Sequence, residues 1–236
     1  MGCPQTAFKA RRGPPAPGSG RLPHGGAQRP MNRGRRQALE TLRARIRACR
    51  RCPRVQGPPV LGEAVLSPVM LIGQAPGTRE IAEGRPFAWT AGKTLFGWFA
   101  RIGMEETDFR RRVYMSAVCR CFPGKRPGGG DRPPGREEID NCWPWLQGEL
   151  HLLQPGLVIP VGRLAIARFL PGRRLDEVVG RVHRVEFEGC TLDLAPLPHP
   201  SGASTWHRRE PGRTLLEEAL DRISRHPLWK NLLRQP

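Results

Sequence analysis

The cysteines are the residues of this chain whose spacing most directly suggests a chemistry. Cys49-Arg50-Arg51-Cys52-Pro53 contains a C-x-x-C. That spacing lets two thiolates reach one metal from a single turn, and the proline stiffens the turn. Cys121 follows an apolar run, and Cys142 lies in a segment of helical periodicity further on. Four thiolates suffice for a tetrahedral zinc site or a [4Fe–4S] cluster. Two ambiguities stay open on spacing alone. Cys119 competes with Cys121, because residues two apart in a strand share a face. Cys142, on an apolar helix face, also fits as a core residue.

A second set of residues gathers at strand ends. Val69-Met70-Leu71-Ile72 reads as a buried strand that breaks into the turn Gly73-Gln74-Ala75-Pro76-Gly77. Such a turn brings backbone N–H groups and one polar side chain to the carboxyl edge of a sheet, where open α/β sheets bind ligands. His199-Pro200-Ser201 sits at another strand exit between prolines that restrict the backbone. The loop after it carries Trp206 and Arg208, which suit base stacking or wedging and phosphate contact. Packing against the last helix is the rival use for Trp206. Lys125 and Arg126 open a glycine-rich loop between Gly124 and Gly135.

The elements that must position these residues follow from periodicity. Residues 35–48 form a helix with Leu39, Leu42 and Ile46 on one face. Further helices are expected over 91–103, 136–153, 163–170 and 212–224, and strands over 69–72, 113–118 and 157–161. A hairpin over 184–187 and 191–194 turns at Gly189. The region 54–68 reads as a connection with room for one short strand. Alternating strands and helices imply an α/β fold, a three-layer α/β/α sandwich with a mainly parallel central sheet.

Composition limits the function classes. The 236 residues carry 39 Lys and Arg against 21 acids, a formal charge of +18, and apolar residues make up 38%. A basic surface suits a phosphate backbone. Residues 1–34, rich in Gly, Pro and Arg, read as a disordered basic tail, and 35–236 as a single domain. No apolar run reaches membrane-span length and the first thirty residues lack a secretory core, so the cytoplasm is the expected compartment. Cysteines there argue against a disulfide framework and for metal ligation or inert buried thiols.

Taken together, Gly73-Gln74-Ala75-Pro76-Gly77, Gly84-Arg85-Pro86-Phe87, Cys121-Phe122-Pro123 and His199-Pro200-Ser201 resemble the uracil-DNA glycosylase superfamily. The resemblance is to its iron–sulfur branches, families four and five, in motif order over roughly residues 45–225. It implies a [4Fe–4S] cluster of structural role on Cys49, Cys52, Cys121 and Cys142, with zinc as the alternative, and it selects Cys121 over Cys119. It implies a base pocket walled by Gly73, Gln74, Ala75 and Gly77, with Phe87 stacking on a flipped uracil and Ser201 beside it. His199 would donate a hydrogen bond to the departing base. Glu80 matches a family-four acid and would orient water; a helix N-terminal role is its simpler use.

Two positions depart from family four. Gln74 stands where that family has Glu, and Ala117 where it has Asn; both changes look like family five. The expected activity is hydrolytic excision of uracil, or a related deaminated base, from DNA in base excision repair, by a monomer. The alternative is a protein of the same fold that binds uracil-containing or damaged DNA without cutting it. Lys125, Arg126, Trp206 and Arg208 are the expected DNA contacts.

Overall fold

The computed structural model describes residues 28–187 and 189–235. Most of the expected disordered tail, residues 1–27, lies outside the described residues. Residues 28–34 belong instead to a helix, α1 (Gln28–Arg47), which starts earlier than its apolar stripe suggests. At the first residue of the expected stretch, the Arg35 guanidinium ties the helix to the end of the 136–153 segment, donating to the carbonyls of Leu152 and Leu153 at 2.9 and 2.8 Å.

In chain order there follow β1 (Val69–Gly73), α2 (Thr78–Glu83), α3 (Thr90–Ala100), α4 (Glu106–Arg112), β2 (Tyr114–Ala117) and α5 (Arg136–Leu153). Then come β3 (Leu157–Pro160), α6 (Arg163–Ala167), α7 (Leu175–Val178), β4 (His183–Phe187) and β5 (Cys190–Leu194). A 3-10 turn (Trp206–Arg208), α8 (Gly212–Arg225) and α9 (Pro227–Leu233) close the chain. The expected strands and long helices are all present. The short helices α2, α4, α7 and α9 were not anticipated, being too short to show a period. Residues 54–68 form no strand; Gln56 makes a single bridge to Phe122.

The sheet order is β2-β1-β3-β5-β4. All neighbours are parallel except the β4–β5 hairpin at one edge. Successive residues of β1 serve opposite faces. Val69 and Leu71 join the core under α3, α4, α8 and α9, while Met70 and Ile72 join the core under α1 and α5. Each of these four side chains is fully buried, which stabilises the fold by about 1.5–3 kcal/mol apiece. Helices therefore cover both faces, and the three-layer α/β/α architecture follows.

The chain leaves β1 for β2 on one side and later returns to β3 on the other. Between β1 and β3 the strand order thus reverses, and the carboxyl end of that crevice is open for a ligand.

Candidate active site and cysteine cage

A cavity of about 540 Å3 opens at this carboxyl edge, lined by the 73–80 turn, Phe87, Trp89, residues 115–117, Lys125, Asp131, His199 and Ser201. The structure thus brings together Gly73, Gln74, Ala75, Gly77, Glu80, Phe87, His199, Ser201 and Lys125 from the residues singled out in the sequence.

His199 is delivered by backbone pairing that outlasts β5. Leu197 N–H donates to the Pro160 carbonyl at 2.9 Å, and Gly162 N–H to the Leu197 carbonyl at 2.9 Å. The imidazole Nδ1 accepts from the Ser201 backbone N–H at 3.2 Å and lies 2.9 Å from Ser201 Oγ. A backbone N–H only donates, so Nδ1 is unprotonated and the ring proton sits on Nε2. Burial, and then the nearby His207, hold the ring below the usual histidine range of 6.5. His199 is therefore a neutral imidazole with one N–H to offer, and Ser201 fixes which nitrogen offers it.

Gln74 has a defined orientation for the same reason. Its Oε1 accepts from Leu164 N–H at 3.2 Å, near the start of α6. The amide NH2 is thereby set as its remaining polar group. Gly162, at φ +85°, makes room for both side chains. A Cβ there would lie 3.0 Å from His199 Cδ2 and 3.1 Å from Gln74 Cδ.

Phe87 lies across Gly73, where an added Cβ would come within 3.1 Å of two ring carbons. Its backbone is held at φ 54°, a left-handed conformation that a bulky residue rarely adopts. Two contacts impose it. Gly92 comes so close that a Cβ would fall 1.8 Å from the Phe87 carbonyl oxygen. Arg110, nearly buried, donates from Nη1 to the Pro86 carbonyl at 2.9 Å and from Nη2 to the Phe87 carbonyl at 3.1 Å. Within the triple Arg110-Arg111-Arg112 no sequence feature marks Arg110 except its place beside Phe109 on the buried face of α4. Arg110→Lys should keep the charge but lose the two-carbonyl fork. The expected result is about a tenfold loss in kcat/KM for base release, with the DNA affinity of an unmodified duplex unchanged.

Glu80 lines the cavity, but both carboxylate oxygens engage backbone. Oε2 accepts from Gly77 N–H at 3.1 Å and Oε1 from Ala88 N–H at 3.2 Å. It closes the N-terminus of α2 and ties the two motif loops together, the simpler of its two expected uses. Trp206 follows the packing use, the rival to a wedge. It is half-buried against the core, and its backbone and ring leave no room for a Cβ on Gly212. The neighbouring His207 is buried edge-on against Trp98 at 5.2 Å. The ring of Trp206 therefore anchors the loop instead of projecting as a wedge, while Arg208 stays exposed.

The aromatic that does project is Trp89, 46% exposed at the cavity mouth. Arg79 and Lys93 stand over its ring at 4.7 and 5.9 Å. Nearby, Lys125 pairs with Asp131 at 2.8 Å, and Arg126 is exposed at the loop tip.

A separate cavity of about 270 Å3 is lined by Cys49, Cys52, Cys121 and Cys142, with Arg50, Arg51, Arg120, Asn141 and Trp145. Cys119 is buried behind Cys142 and does not line it. The alternation that made Cys119 and Cys121 equivalent does not apply, because β2 ends at Ala117. Burial and then the neighbouring thiols push Cys121 up to about 12. Among the described residues, no three or more His, Cys, Asp or Glu side chains stand close enough to share one ion. The four thiols instead ring a cavity. Arg120 joins this region to the base cavity: it pairs with fully buried Glu149, which also accepts from Tyr114 and Ser116 at 2.8 Å each.

The uracil DNA glycosylase superfamily model matches residues 59–223. The chain belongs to the uracil-DNA glycosylase superfamily. A Type-4 uracil-DNA glycosylase from Pyrobaculum aerophilum is 32% identical over 172 residues, covering 69% of this chain and 83% of that protein. One from Thermotoga maritima is 26% identical over 187 residues, covering 78% and 92%. A Type-5 uracil-DNA glycosylase from Pyrobaculum aerophilum is 31% identical over 111 residues, 41% of this chain and 45% of that protein. The Type-4 relatives thus match over more of this glycosylase than the Type-5 relative does, despite Gln74 and Ala117. No helix among its described residues is long and apolar enough to cross a membrane.

Proposed function

We propose that the chain releases uracil from DNA by hydrolysing its N-glycosidic bond, the first step of base excision repair. The observation that carries this reading is the neutral His199 at a cavity walled by Phe87 and the 73–77 turn. Uracil departs as an anion, so the chemical task is to hold negative charge on its carbonyl oxygens. The Nε2–H of His199 is the donor for that charge, and a ring kept neutral suits it because it need not give up its proton. A preorganised donor of this kind is worth about 2.7–4 kcal/mol. The face of Phe87 stacks on the flipped base, whose removal from the helix costs a few kcal/mol. The Ala117 side chain offers no hydrogen bond, so the base edge is read by turn backbone and by the Gln74 amide. The protein acts as a monomer, since one chain supplies every group invoked; the cytoplasm is the compartment of this reading.

Cys49, Cys52, Cys121 and Cys142 would hold a [4Fe–4S] cluster. Four soft thiolates around a cavity suit it, and its irons would offset the burial that otherwise raises the pKa values of Cys52 and Cys121. A cluster there would pin the turn after α1 to the 121–142 segment, whose Lys125 and Asp131 line the base cavity.

Trp89 takes the DNA-facing role first expected of Trp206, with Arg79, Lys93, Arg126 and Arg208 as phosphate contacts. Trp89→Ala is expected to weaken binding to uracil-containing duplex about tenfold, consistent with about 1–3 kcal/mol per stacked base. Fluorescence anisotropy with a labelled duplex measures it. The excision assay itself, with free uracil quantified from single- and double-stranded substrates, tests the whole reading.

A further inference from the structure

The base cavity needs a group for the sugar side of the reaction, and the residues already placed do not supply one. Gln74 is an amide, and both oxygens of Glu80 hold backbone N–H groups. The cavity nevertheless contains a second carboxylate, Asp131, on the loop between Cys121 and α5. Its Oδ1 accepts from Lys125 Nζ at 2.8 Å. Its Oδ2 reaches over the 73–77 turn, 2.7 Å from where a Cβ on Gly77 would lie.

The surrounding loop is braced. Lys125 and Asp131 form an antiparallel bridge, and Arg132 N–H donates to the Gly124 carbonyl at 2.9 Å. Arg132 then forks onto buried Glu138, whose carboxyl is held below the usual range first by that contact. Asp131 thus hangs from a closed stem while its carboxylate remains 45% exposed at the mouth. A base seated against Phe87 would leave its deoxyribose toward the mouth, where Asp131 is exposed, with His199 deeper in the cavity lining.

We infer that Asp131 is the carboxylate that positions and deprotonates the hydrolytic water. The inference rests on the proposed uracil excision and deepens it. As the C1′–N1 bond breaks, its electron pair leaves with uracil, which departs as an anion hydrogen-bonded to His199. The water oxygen bonds to C1′, and one water proton passes to an Asp131 oxygen. The products are an abasic sugar with a C1′ hydroxyl, the uracil anion and a protonated Asp131, which returns its proton to solvent or to the base.

The test compares single-turnover base release by wild type, Asp131→Asn, Lys125→Ala and His199→Ala on DNA carrying uracil or 5-fluorouracil, alongside DNA affinity and thermal stability. Asp131→Asn keeps shape and removes charge. It is expected to slow release about 100-fold, within the range for general base catalysis, with affinity and stability retained. Its defect should persist on 5-fluorouracil, a better leaving group, whereas the His199→Ala defect should shrink there. Lys125→Ala removes the brace but not the carboxylate, so its loss should be at least about tenfold smaller. A loss from Asp131→Asn no greater than that from Lys125→Ala, or one that follows lost affinity or stability, overturns the inference. A wild type that releases base with Asp131→Asn undiminished refutes the inference alone. A wild type that releases no base refutes the excision reading along with it.

Discussion

His199→Ala is expected to lower the rate of uracil release by about 10²–10³-fold, the loss usual for one preorganised donor to a developing anion. DNA affinity should hardly change, because the ring sits inside the cavity and not on the phosphate-facing rim. The pH dependence follows from the tautomer. Burial and the nearby His207 place the folded pKa of His199 below 6.5. The reactive neutral ring is therefore fully present above 6.5, and activity should be flat from there upward as far as this group is concerned. On the acid side, protonation puts a hydrogen on Nδ1 and breaks the bond from Ser201 N–H. Activity should fall there, with a midpoint below 6.5. Stability shares the sign. The unfolded chain binds the proton more readily than the folded one, so this group's contribution is complete above 6.5 and is lost as pH falls toward the folded pKa. Stopped assays of base release between pH 5 and 8, with a parallel unfolding series, check both statements.

Cys121→Ser should cost the protein its cluster, and Cys119→Ser should not. Cys121 lines the cysteine cavity, whereas Cys119 lies buried behind Cys142. Anaerobically purified wild type and Cys119→Ser should absorb near 400 nm and carry iron. Cys121→Ser should be pale, with an unfolding midpoint lower by on the order of 10 °C, because binding energy at such a cage is folding energy. Zinc in the wild type, or colour lost in the Cys119 variant and kept in the Cys121 variant, would contradict the assignment.

The fold was legible in the sequence wherever an element was long enough to show its period. β1, β2, β3 and the long helices α1, α3, α5 and α8 all appear near their expected positions, and the hairpin turns at Gly189. The short helices α2, α4, α7 and α9 were hidden because four to seven residues complete at most two turns. The candidate site was legible where its residues occupy short motifs, Gly73 and His199 after strands and Phe87 in the loop between α2 and α3. Other features depended on tertiary placement. Trp206 has the composition of a wedge, but Gly212 gives it a packing site. Trp89 looks like an ordinary helix-entry residue until the cavity mouth opens beside it. Arg110 sits in a run of arginines of which only this one is buried. Asp131 lies in a glycine-rich loop whose closure over Gly77 no local pattern announces. Cys119 and Cys121 could not be separated by spacing, because the choice depends on where β2 ends.

The most direct test of the central claim is release of free uracil from a synthetic oligonucleotide containing one deoxyuridine, with purified protein in excess and DNA binding measured in parallel. The account predicts free uracil and an abasic site cleavable by mild alkali. Stable binding of the deoxyuridine strand with every base still attached would contradict it, and would mark the chain as a binding member of the superfamily.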